Sequence, residues 1–233
     1  MNQYLQETRM LNYRHDAIQA LVKERQWAQE ADFERIKKIY NFVRDEIRFG
    51  YNTDDTLSAV EVLMDGYGQC NTKATLFMAL LRAVGIPCRV HGFTIHKKLQ
   101  KGAMTGLIYW LAPKNIVHTW VEVHYQGQWY NLEGLILDIP YLTKLQGRFR
   151  QCQTSFCGYG VATNQFQTPQ IDWKGNHTYI QKEGINQDLG VFDSPDAFFE
   201  RYPQPLSPLK KWMYQNIGRK LMNRNIERIR QGL

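Results

Sequence analysis

The sequence predicts an α+β domain in which a buried helix packs on an antiparallel sheet. From Asn71 to Val84, Leu76, Phe77, Leu80, Leu81 and Val84 recur at helical spacing, and Gly85 and Pro87 end the run. His118 to Tyr125 and Gln128 to Leu135 alternate in the β manner on either side of Gln126-Gly127, a two-residue turn. Upstream, Phe33, Ile36, Ile39, Tyr40, Val43 and Ile47 form one apolar helical stripe. Helices followed by antiparallel strands make an α+β layout.

The remaining elements follow in chain order. Leu11 to Gln29 reads as a helix, with Ile18, Leu21, Val22 and Trp27 among charged residues. Asp32 can cap the next helix, which is expected to end near Phe49-Gly50. Thr56 or Ser58 opens a short helix closed by Gly66. Cys88 to His96 reads as a strand. Lys97 to Asn115 mixes a basic, glycine-containing loop with an apolar stretch around Leu107 to Leu111. Arg148 to Gly190 is rich in Gly, Gln, Asn and Thr and carries no periodicity; it is expected to wall a substrate cleft. Ser194-Pro195 starts a helix through Arg201, and Pro203, Pro205 and Pro208 make a linker. In the last helix Leu209, Met213, Ile217 and Leu221 recur at four-residue steps opposite a basic face, a stripe expected to dock on the domain; membrane contact is the rival reading. The expected organisation is one domain over 1–208, with its core at about 36–135, a helical lead-in at 1–35 and an insert at 148–190. The basic amphipathic helix then occupies 209–233.

The composition narrows the function classes. Of the net charge of +7, nearly all sits between Leu209 and Leu233, where seven basic residues meet the single acid Glu227. The rest is close to neutral, so a nucleic-acid partner is not expected. No apolar run approaches a membrane span or a secretory signal. Cys70, Cys88, Cys152 and Cys157 are too few for a disulfide framework, which fits thiols in a reducing, cytoplasmic setting. Cys152 and Cys157 lack zinc-knuckle spacing and no acidic loop has calcium-ligand spacing, so no metal or cofactor is expected. Cys88 reads as packing, and His91 and His96 have no evident partner.

Cys70 is the cysteine placed for chemistry. It follows a glycine-containing turn and begins a helix, whose free N–H groups and partial positive charge favour a thiolate. Its own N–H can serve as an oxyanion donor. If the turn at Gln126-Gly127 has two residues, Tyr125 pairs with Gln128 and His118 with Leu135. His118 then shares a face with Glu133, leaving one ring nitrogen for a thiol; a three-residue turn would separate them. Trp120 and His124 lie on the face of His118 and are candidates for its surroundings. Packing for the cysteine and a wet sheet face for the other two are the competing readings of these residues taken singly.

Tyr67-Gly68-Gln69-Cys70, with Ala74, Leu76-Phe77, Ala79 to Ala83 and Gly85-Ile86-Pro87, resembles the nucleophile segment of the transglutaminase-like superfamily. His118-Thr119-Trp120-Val121-Glu122-Val123, then Gly127, Trp129 and Glu133, resembles its histidine and acid segments. Val43 to Tyr51 and Ser58 to Leu63 are similar to its lead-in helices. The resemblance spans about Ile36 to Gly134 and implies a papain-related fold, with the cysteine helix packed on an antiparallel sheet. It implies a catalytic Cys70, His118 and Glu133, with a glutamate where the family usually has aspartate. It also implies attack on an amide or ester carbonyl through a thioester, so a peptide or amide-containing substrate is expected. Gln69 and Tyr51 are candidates for the second oxyanion donor. Hydrolysis, as in a peptidase or amidase, is the first expectation, since the chain lacks the flanking domains of large cross-linking members. Acyl transfer to an amine and a non-catalytic binding module are the alternatives.

Overall fold

The computed structural model describes residues 1–204 and 206–233, with Leu107 described by its backbone. His15 opens α1 (Asp16–Glu24) by accepting the Ala17 N–H on a ring nitrogen, and Ile18 and Val22 turn inward. This helix is shorter than the expected Leu11–Gln29 run because Gln26 takes the left-handed conformation, φ 56°, leaving one 3-10 turn at Trp27–Gln29. α2 (Asp32–Asn41) buries Ile36, Ile39 and Tyr40 and runs into a π-helical turn at Phe42–Glu46. Asp32 is its first residue rather than its cap. The helix stops before Phe49 because β1 (Arg48–Phe49) is already extended.

Ser58 and Glu61 form a capping box that starts α3 (Ala59–Asp65), and Gly66 ends it at φ 67°. β2 (Tyr67–Gly68) pairs in parallel with β1 and delivers the chain to α4 (Cys70–Ala83). Every residue of α4 from Cys70 to Arg82 is buried. Its apolar residues cover most of its circumference, as a central helix requires. Its polar ones are bonded: Lys73 Nζ donates to the carbonyls of Arg44 and Ile136, both at 3.0 Å, and Thr75 Oγ1 to that of Asn71 at 3.2 Å.

After β3 (Cys88–His96) and a 3-10 turn come α5 (Gly106–Leu111), β4 (Asn115–Tyr125) and β5 (Gln128–Leu132). Gln126 and Gly127 sit at φ 47° and 80°, both positive as a two-residue hairpin turn demands. Tyr125 therefore pairs with Gln128. The ladder ends at Val121 opposite Leu132, short of the expected pairing of His118 with Leu135, because the Glu133 N–H donates to Thr178 O instead. β4 also pairs antiparallel with β3, and Val117, Val121 and Val123 join the core under α4.

α6 (Ile139–Arg148), capped by Asp138 with Pro140 in its first turn, is an element beyond those expected. So are the hairpin of β6 (Phe156–Gly158) and β7 (Val161–Thr163), and β8 (Ile185–Phe192) on the outer edge of β3. Among the described residues the main sheet has the order β5-β4-β3-β8. α7 (Pro195–Arg201) starts at Ser194 as expected. Of the expected proline linker, Pro205 lies outside the described residues, and Pro208 opens the last helical stretch. That stretch runs through α8 (Pro208–Met213), a π-helical turn at Tyr214–Gly218, and α9 (Arg219–Arg230).

The C-terminal stripe faces the other way from expectation. Leu209, Ile217 and Leu221 are exposed, and the docked face is Met222, Ile226 and Ile229. Two apolar rows run along this helix, and the row that meets Phe49, Tyr141 and Leu145 is the buried one.

Candidate active site

Gly68 sets the approach to Cys70. A Cβ there would lie 2.8 Å from Thr72 Oγ1 and 2.9 Å from Lys73 Cγ, so only glycine lets the chain turn this tightly onto α4. The Gln69 N–H donates to Thr72 Oγ1 at 3.1 Å, fixing the first turn. Cys70 is the first residue of the helix, so its N–H has no intrahelical carbonyl to bond. The residue is 6% exposed, and its sulfur lies 3.6 Å from Asn71 Oδ1. The Asn71 amide also donates to Val117 O at 3.1 Å and accepts from Thr119 Oγ1 at 3.1 Å, which ties the start of α4 to β4.

His118, on β4, is fully buried. Its Nε2 lies 2.7 Å from Glu133 Oε1. The other carboxylate oxygen, Oε2, accepts the N–H groups of Ile180 and Gln181, both at 2.9 Å. The carboxylate is thus satisfied on both oxygens, which its burial requires. His118 Nδ1 is buried with no hydrogen-bond partner among the described residues, leaving it as the ring atom for Cys70. Burial disfavours the charged ring, but the Cys70 sulfur and the Glu133 carboxylate outweigh it and raise the His118 pKa to about 10. The arrangement favours the protonated form of the His118 ring, held between the Cys70 sulfur and the Glu133 side chain.

Residues 19–134 match the family model of the transglutaminase-like superfamily. The chain belongs to the transglutaminase-like superfamily. It is also similar in fold to a Cytophaga hutchinsonii protein called a "Putative Cysteine Protease", at 14% identity and a TM-score of 0.48. That similarity covers 84% of this chain and 47% of the other, so the chain spans about half of that protein's length. No curated protein matches this sequence.

In this transglutaminase-like chain the remaining sequence candidates fall in different places. Gln69 adjoins Cys70, but its side chain is engaged: Oε1 accepts from Asn52 N at 2.8 Å, and Nε2 donates to Asp55 Oδ1 at 2.9 Å. Tyr51 lies in the apolar cluster that contains Cys70, and its hydroxyl donates to Gln100 Oε1. Burial keeps that phenol protonated. The Trp120 ring packs 4.1 Å from that of Phe93, tilted by 45°, and its buried Nε1–H has no partner among the described residues. His124 is not with His118. It sits six residues along β4, roughly 20 Å away at strand rise, with its ring 5.1 Å from Trp129. His91 does have partners: Glu122 at 2.7 Å and Asp188 at 2.9 Å, which outweigh burial and raise its pKa.

Sequence reasoning missed several contributors. The N–H groups of Ile180 and Gln181 come from the unassigned 148–190 segment and leave no side-chain signature. The same segment, expected to wall a substrate cleft, lines through Phe149, Phe156 and Tyr159 one side of a surface cleft of about 470 Å³ opposite Lys101 to Tyr109; Cys70 and His118 are not among the residues lining it. Asn71 was in plain view beside Cys70, as a polar residue within an apolar helix. Tyr214 approaches Cys70 from the far end of the chain.

Proposed function

We propose that the protein is a thiol hydrolase that cleaves an amide or peptide bond through a thioester on Cys70. The observation that carries this reading is the buried His118. It is bonded through Nε2 to a carboxylate satisfied on both oxygens, and its other nitrogen is left to the sulfur of a helix-terminal cysteine.

The Cys70 thiolate adds to the carbonyl carbon, and the electron pair of the C=O bond moves to oxygen. The Cys70 N–H, at the positive end of α4, faces that charge. As the oxyanion collapses, the C–N bond breaks and imidazolium His118 gives its proton to the departing amine. A thioester and a neutral imidazole remain. Water then adds to the thioester carbonyl and gives a proton to His118. Collapse expels the Cys70 thiolate, releases the carboxylic acid and restores the ion pair. Glu133 holds the ring in one orientation through both halves.

The test is product analysis in isotope-labelled water, with a mixture of peptides and amides as substrates. The proposal predicts heavy oxygen in the new carboxyl group, a thioester adduct on Cys70 after acid quenching, and neither in Cys70→Ala. Incorporation of an added amine in place of water would reassign the activity to acyl transfer. No turnover and no adduct would remove the enzymatic reading.

A further inference from the structure

Cys70 and His118 are closed to solvent, at 6% and 0% exposure, so a substrate reaches them only if something moves. The two halves of the C-terminal helix are held very differently. α9 buries Met222, Ile226 and Ile229, and Asn223 bonds both the N–H and the C=O of Tyr51, at 2.7 and 3.0 Å. Arg230 pairs with the buried Asp138 at 2.7 Å. α8 buries no side chain. It and the turn after it rest on the loop at residues 52–54 through Lys211 on Asp54 at 2.7 Å, Tyr214 Oη on Asn52 O at 2.9 Å and Gln215 Nε2 on Thr53 O at 3.2 Å. Tyr214 is the inward-facing residue, packed against the cluster that contains Cys70. Burial, Asp55 and the Cys70 sulfur together push its phenol pKa up.

The outer face carries an exposed apolar row: Leu209 at 68%, Trp212 at 56%, Ile217 at 49% and Leu221 at 45%. Trp212 and Ile217 are five residues apart, which an α-helix would splay; the π-helical turn at Tyr214–Gly218 takes up the extra residue and keeps them in line. Exposed Lys210, Lys220 and Arg224 flank the row, and residues 206–226 contain no acid. A second copy docked here about a twofold axis would set these cations against themselves. A tryptophan and aliphatic residues among cations, on a helix lying flat, suit the interface of an anionic bilayer. Among the described residues no helix is long and apolar enough to cross one.

We propose that α8 and the turn after it form a lid over Cys70 whose outer face docks on an anionic phospholipid surface, and that docking draws Tyr214 out and opens the site. This rests on Cys70 and His118 being the reactive pair. The hinge is the buried Gly218, where that turn meets the firmly seated α9.

The test measures, on the full chain, co-sedimentation with vesicles and the rate of Cys70 alkylation by iodoacetamide. Vesicles are phosphatidylcholine with or without phosphatidylserine. The lid predicts sedimentation only with phosphatidylserine, weakened by salt, and a Cys70 rate raised by about tenfold or more on those vesicles. Trp212→Ala with Ile217→Ala should lose both effects and keep the vesicle-free rate. Tyr214→Ala should label fast without vesicles, its fold checked by circular dichroism. Absence of sedimentation, sedimentation without faster labelling, or a dimer that covers Trp212 in solution would overturn the proposal. A fast thiol in Tyr214→Ala that vesicles do not accelerate in wild type overturns the lid alone. If Cys70 in Tyr214→Ala is no faster than in the urea-unfolded chain, the reactive-pair reading fails and the lid falls with it.

Discussion

Glu133 Oε1 lies 2.7 Å from His118 Nε2, while its Oε2 takes two backbone N–H groups from Ile180 and Gln181. A carboxylate held at one end by backbone and at the other by a ring is a fixed orienting group. It also explains why glutamate serves here. β5 parts from β4 after Leu132, where the chain pairs with Thr178, and the longer side chain spans back to the ring while keeping its N–H partners.

Shortening or neutralising that carboxylate should therefore disable the ring without removing it. Glu133→Asp cannot reach His118 and both N–H groups together, and Glu133→Gln offers an amide N–H where an oxygen now accepts. Each should lower kcat/KM on the order of 10²–10⁴-fold. Steady-state kinetics check this, with circular dichroism to confirm the fold.

The charge state of His118 depends on Cys70. Burial alone would depress the ring's pKa, and the sulfur is the first of the groups that raise it to about 10. In Cys70→Ala the His118 pKa should fall, read from its imidazole carbon resonance by NMR titration. The sign for stability follows. A pKa raised above the unfolded value, about 6.5, stabilises the fold fully below that pH, and the gain is lost as pH rises towards about 10. Urea denaturation of wild type and Cys70→Ala should show the wild-type advantage shrinking across that window.

Lys73 should act in the opposite sense over a similar range. Burial pushes its ammonium down to about 7, and it donates to the carbonyls of Arg44 and Ile136. The unfolded chain binds the extra proton between that value and about 10.4, so wild type should gain on Lys73→Met as pH rises, by up to about 1.4 kcal/mol per pH unit. Denaturation of the pair at several pH values measures the slope.

Asp138 ties together β1, α6 and α9. It accepts from Phe49 N at 2.8 Å, caps α6 through Tyr141 N at 3.0 Å, and pairs with Arg230 at 2.7 Å. Burial alone would raise its pKa; Arg230 and the backbone N–H groups outweigh it and hold the carboxyl below its usual range. Arg230→Met leaves a buried charge without its partner and should cost about 3–5 kcal/mol. Because the folded pKa is depressed, the pair's contribution should persist above about pH 4 and vanish as pH falls further.

Much of this site was legible because its parts are periodic. The row Leu76, Phe77, Leu80, Leu81 marked α4, and Gln126-Gly127 set the Tyr125–Gln128 register that holds as far as Val121 and Leu132; beyond it Glu133 reaches His118 from a chain already paired with Thr178. The support around Glu133 was not legible, since backbone N–H groups from a distant irregular segment have no residue type to betray them. The C-terminal helix misled for another reason. Leu221 and Met222 belong to neighbouring rows, and only the body of the protein decides which row is covered. His124 shared a face with His118, but sharing a face says nothing about distance along a strand.

The proposed chemistry stands on an activated Cys70–His118 pair. The most direct measurement is the pH dependence of iodoacetamide labelling at Cys70, by mass spectrometry, in Tyr214→Ala with and without His118→Ala, the first substitution removing the side chain packed beside Cys70. An activated pair gives strong labelling that persists well below about pH 7 and disappears with the histidine. Labelling that rises only near the ordinary thiol value of about 8.5, indifferent to His118, would contradict it.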